Sequence, residues 1–125
     1  MPTLTLKEKQ LPNDSFAPST PQQGDPWLVI ERGLELNGSQ VGTFTVRGTY
    51  MRILPDDDAL IAINGTNRIT GIPDRRGDIC TQGVFRFSDF AHPVIIAIVG
   101  GTDHFKNARG TLTIHNQNLT FDWLG

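Results

Sequence analysis

The chain has 125 residues, a formal net charge of −2 and 38% hydrophobic residues, enough for a single domain spanning 1–125 whose core needs no metal or disulfide to hold it. The near-neutral charge, with Lys and Arg scattered along the sequence, gives no electrostatic basis for binding nucleic acid or an anionic membrane. Cys80 is the single cysteine and excludes an intramolecular disulfide, no apolar run approaches the roughly 20 residues of a membrane helix, and Met1-Pro2-Thr3-Leu4 lacks signal-peptide character, so a cytoplasmic protein is expected.

Thr3 to Gln10 alternates, which places Leu4, Leu6, Glu8 and Gln10 on one face of a first strand. Five of the eight prolines fall within the first 26 residues, and residues 11–26 are expected to form a long irregular N-terminal loop. Trp27 to Leu36 is the second strand, with Trp27, Val29 and Glu31 sharing a face by parity, and it runs into Asn37-Gly38, a strong hairpin signal. Val41 to Ile53 follows, bent at Gly42 and Gly48, with Phe44, Val46 and Tyr50 on one face. Asp56-Asp57-Asp58 reads as a solvated turn, since it lacks the spaced oxygen ligands of a calcium loop.

The remaining strands are Ala59 to Ile69, Asp78 to Phe87, Val94 to Val99, Phe105 to Ile114 and Leu119 to Leu124. No long window keeps a 3.6-residue apolar period, so the chain is all-β. Eight short antiparallel strands fit either a closed barrel or a sandwich. A closed barrel removes both sheet edges, and with eight strands it encloses room for one small ligand.

Between the sixth and seventh strands lies Ile98-Val99-Gly100-Gly101-Thr102-Asp103-His104-Phe105-Lys106-Asn107-Ala108-Arg109-Gly110. This segment resembles the signature of the dirigent proteins and allene oxide cyclases, a Gly-Gly-Thr/Ser-Gly turn followed by Phe and, in the dirigent branch, Ala-Arg-Gly. Here Asp103 stands where those families carry a third glycine. Pro26 to Arg32 and Val41 to Tyr50 are similar to the family's second and third strands, in the same order. The resemblance implies an eight-stranded antiparallel closed β-barrel, a cofactor-independent cyclase or isomerase related to the bacterial barrel cyclases, and a homodimer or homotrimer.

Leu6 to Gln10 is similar to the allene oxide cyclase segment in which a Glu and an Asn line the cavity, so Glu8 matches the glutamate and Gln10 replaces the asparagine. Dirigent proteins carry an acidic pair after the second strand, whereas this chain has Glu31-Arg32. Glu8, Gln10, Glu31 and Tyr50 are the catalytic candidates, because a carboxylate or phenol inside an apolar barrel is suited to moving a proton. Leu4, Leu6, Trp27, Val29, Phe44 and Phe85 are the expected hydrophobic lining. Arg109 is expected to pair with a carboxylate such as Asp103.

No nucleophile elbow, P-loop, dinucleotide fingerprint or zinc spacing is present, and His92, His104 and His115 match no ligand pattern, so neither metal nor cofactor is expected. The leading reading is an enzyme that holds a hydrophobic reactive intermediate, of natural-product or oxylipin type, and steers its ring closure. Two alternatives stand beside it, a dirigent-like or lipocalin-like barrel that binds a hydrophobic molecule without reacting it, and a structural role through oligomerisation.

Overall fold

In the computed structural model, residues 2–10, 15–16 and 20–124 are described, apart from the side chains of residues 10, 15–16, 28–30 and 90–91. The alternating segments form β1 (Thr3–Gln10), β2 (Ser15–Phe16), β3 (Pro26–Leu36), β4 (Ser39–Ile53), β5 (Ala59–Ile69), β6 (Gly77–Arg86), β7 (Val94–Gly101), β8 (Arg109–His115) and β9 (Asn118–Leu124). All pairings are antiparallel, in the order β1-β9-β8-β7-β6-β5-β4-β3, and β3 returns to pair with β1. That last contact closes the expected eight-stranded barrel. The two-residue β2, inside the expected loop, adds a short ninth strand outside the ring by pairing Ser15 with Val29 and Phe16 with Leu28.

Period-two patterning explains which side chains fill the interior. Along β5, Ala59, Ile61, Ile63, Gly65, Asn67 and Ile69 are all buried while the residues between them face outward. The hairpin at Asn37-Gly38 has φ values of 54° and 84°, the left-handed pair that suits the twist of two tightly joined strands.

One end of the barrel is packed solid by Phe105 and Trp123, whose rings meet edge to face at 5.5 Å, together with Leu34, Ile69 and Ile79. The Gly-Gly-Thr-Asp corner is what brings Phe105 there. Asp103 adopts φ 51°, a left-handed conformation that Asp tolerates better than most residues and that glycine takes freely. Thr102 pairs with Asp78 through N–H to carbonyl and through Oγ1 accepting the Asp78 N–H, both at 2.9 Å. Phe105 therefore belongs to a 3₁₀ turn, Asp103–Phe105, and not to the seventh predicted strand, which starts only at Arg109. Arg109 is exposed and donates to the Ala108 carbonyl at 2.8 Å; among the described residues it makes no pair with Asp103.

A second departure sets the geometry of the interior. Pro26 pairs with Thr49 and Leu28 with Gly48, so Trp27 is an extra residue in β3, a β-bulge. The bulge shifts the parity of everything after it. Arg32 and Leu34 take inward positions, and Glu31, expected to share a face with Trp27, is exposed on the outside. Among the described residues no helix is long and apolar enough to cross a membrane.

Candidate functional site

At the end opposite Phe105 the barrel is open, and its interior holds a cavity of about 270 Å³. Phe44, Val46, Ile63, Ile96, Leu112 and Leu119 form its apolar walls. Trp27 covers one side. Its indole lies where a Cβ on Gly48 would come within 2.5 Å of the ring, so the bulge and a glycine together admit the largest side chain into the wall. Phe85 and Phe87 support the indole edge to face, at centroid distances of 5.7 and 6.4 Å.

Two charged groups enter this apolar space. Arg32 Nη1 donates to Glu8 Oε1 at 2.8 Å, and the two side chains are 20% and 17% exposed. Glu8 sits where β1 meets the β8–β9 turn, its N–H bonded to the Gln117 carbonyl at 2.9 Å, which fixes the backbone from which the carboxylate reaches inward. Among the described residues, Glu8 Oε2 makes no hydrogen bond and remains available. His92 and Asn116 stand at the mouth and are exposed, while Asn67 and Thr81 lie deep in the wall at 2% and 4% exposure.

Of the catalytic candidates whose side chains are described, Glu8 alone lines the cavity. The inward side chain of β3 is Arg32, not Glu31, because of the bulge. Tyr50 is buried but faces a separate depression with Thr20, Pro21, Ile53, Asp58 and Phe87, and burial pushes its hydroxyl above the ordinary value of 10.0. Gln10 pairs with Arg32 along the ladder, and its side chain lies outside the described residues, as does that of Val29. Among the expected lining residues, Trp27 and Phe44 touch the cavity, Phe85 packs behind Trp27, and Leu4 and Leu6 are buried in the core without reaching it.

Among the lining residues that the sequence reading passed over, Arg32, Asn67 and Thr81 are the polar ones inside the barrel. Asn67 had a signal, since strict alternation along β5 sets it on the face of Ile61, Ile63 and Ile69. A wider depression of about 570 Å³ lies outside the barrel, between the 54–58 turn and Phe87-Ser88, but it is an open surface groove.

The chain is thus an antiparallel eight-stranded barrel, packed at one end and carrying an ion pair in a largely apolar cavity. A scan against protein-family models finds no match, and no curated protein matches the chain. Among solved structures it is similar to a pyocyanin demethylase, with a TM-score of 0.81, 21% identity, and coverage of 98% of this chain and 99% of that one. The likeness establishes a shared fold along nearly the full length of both chains.

Proposed function

We propose that the chain is a cofactor-independent enzyme of the cyclase or isomerase kind, which binds a compact hydrophobic intermediate inside the barrel. The observation that carries this reading is the Glu8–Arg32 pair set in a largely apolar cavity. Glu8 would take a proton from a carbon or hydroxyl of the bound molecule and return it at another position, while the Arg32 guanidinium stabilises negative charge developing on an enolate or epoxide oxygen. The walls hold the flexible precursor in one folded conformer, which removes the entropy that ring closure otherwise costs.

The cavity's about 270 Å³ falls just below the common range of about 300–1,000 Å³ for ligand pockets, which favours a ring-sized substrate over an extended lipid chain. The fold is shared with a protein whose name describes an enzyme acting on pyocyanin, which supports catalysis in a barrel of this shape without specifying the reaction.

The test is incubation with a panel of epoxy-polyenes and cyclisable polyketide intermediates, with pyocyanin alongside, followed by chromatography and mass spectrometry. An isomer of unchanged mass is expected with the wild type, formed about 100-fold or more slowly by Glu8→Gln. Turnover unaffected by Glu8→Gln would remove the proposed role. Binding without any product would leave the passive carrier barrel as the better reading.

A further inference from the structure

Asn67 is nearly completely buried, yet only half of its amide is answered by the protein. Its Nδ2 donates to the Ile79 carbonyl at 3.0 Å, and Ile79 is its direct cross-strand partner. A carbonyl can only accept, so this bond fixes which end of the amide is nitrogen and which is oxygen. Among the described residues, no donor reaches Asn67 Oδ1. The oxygen keeps a small exposure, onto the cavity that Asn67 lines, so its partner must come from whatever fills that cavity. Beside it, Thr81 is also buried, its hydroxyl donates to the Gly65 carbonyl at 3.4 Å, and both residues line the cavity.

The placement of Asn67 relative to the charged pair is fixed by register. Arg32 pairs with Phe44 and Phe44 with Asn67, so the three share one row across β3, β4 and β5. Two strand spacings, about 10 Å around the wall, separate the Arg32 and Asn67 backbones. One compact ring system can therefore touch both, with the Phe44 ring between them.

We propose that Asn67 Oδ1 is a specificity-determining acceptor that selects ligands carrying a neutral hydroxyl or N–H group on the end inserted into the barrel. The inference rests on the barrel binding a small hydrophobic molecule, and it adds the polar group which that molecule must present. A ligand lacking the donor leaves Asn67 Oδ1 dry and unpaired, and a site built around such an acceptor discriminates against it strongly. The ligand class is thus a hydroxylated or N–H-bearing ring compound, such as a phenol, an enol or a ring amide.

Calorimetric titration with 2-naphthol and its methyl ether, 2-methoxynaphthalene, tests this by the sign of a difference. An all-apolar cavity favours the ether, because the naphthol must lose its hydration without replacement. The wild type is expected to bind the naphthol about tenfold more tightly, the worth of one hydrogen bond to a buried acceptor. Asn67→Leu should reverse that order, and Glu8→Gln should preserve it.

Tighter binding of the ether by the wild type overturns the inference while leaving the barrel a ligand-binding site, and this comparison needs no variant to fold. A naphthol preference lost in Glu8→Gln but kept in Asn67→Leu would move the recognition to Glu8 and also overturn it. Failure of both compounds to bind would overturn it together with the small-molecule reading on which it rests.

Discussion

Arg32 and Glu8 show how one side chain's surroundings decide its worth. Each is about four-fifths shielded from water, so their 2.8 Å bond is screened far less than a surface pair. Arg32→Gln removes the cation beside Glu8 and is expected to cost about 1–3 kcal/mol in urea unfolding, part of which Glu8→Gln in the same chain should restore. An unchanged unfolding midpoint in the single variant would contradict this. Tyr50 offers a cleaner measurement, since it is the single tyrosine of the sequence and its phenolate absorbance reports one group. Desolvation raises its ionisation above 10.0, so the absorbance midpoint of the folded protein should lie above that value and return to it on unfolding in denaturant. A midpoint at or below 10.0 in the folded state would mean that the hydroxyl is hydrated. Glu8 was legible from the parity of Leu4 and Leu6 because β1 runs without a bulge. Arg32 was not, because the parity count began at Trp27, the very residue that interrupts it.

The connecting elements carry their own chemistry. At the turn before β5, Asp58 accepts the Ala59 and Ser88 N–H groups at 2.9 and 3.0 Å and the Ser88 hydroxyl at 2.9 Å, with Arg86 4.0 Å away. The backbone bond from Ala59 leads the causes that hold this carboxyl below its ordinary 3.8, followed by the one from Ser88. A depressed carboxyl stabilises the folded state when ionised. Its contribution is complete above the unfolded value and disappears as pH falls through the lower, folded one. Asp58→Asn should therefore be less stable than the wild type at neutral pH, and the gap should close as pH is lowered below 3.8. A gap of constant size from neutral to acid would remove Asp58 ionisation as its cause. The strands around this turn were readable from alternation and the Asn37-Gly38 hairpin from its dipeptide. The start of β8 was misplaced because alternation continues through Phe105, whereas the left-handed Asp103 and Asn107 turn the chain before it can pair.

For the whole molecule, closure is the property on which the cavity depends. β1 is hydrogen-bonded on both sides, to β9 and to β3, so removing it creates two open edges at once. A chain lacking residues 1–10 is expected to associate through those edges and to bind a hydrophobic dye, as seen by light scattering and fluorescence. A monomeric, dye-negative truncation would mean that the remaining strands close without it. The number of strands could be counted in the sequence, but their meeting end to end could not, because no local pattern records a pairing between the two extremes of the chain. The barrel expectation came from resemblance, and the registers of β1 supply the physical reason.

That same pairing sets an order of events during synthesis. Thr3 Oγ1 donates to Asp122 at 2.6 Å across 119 positions of sequence. At about 5–20 residues per second, a ribosome releases β9 on the order of ten seconds after β1. Through that interval β1 must remain soluble beside its missing partner, and its outward row of Thr3, Thr5, Lys7 and Lys9 is suited to that wait. The closed wall around the cavity is complete only when β9 meets β1.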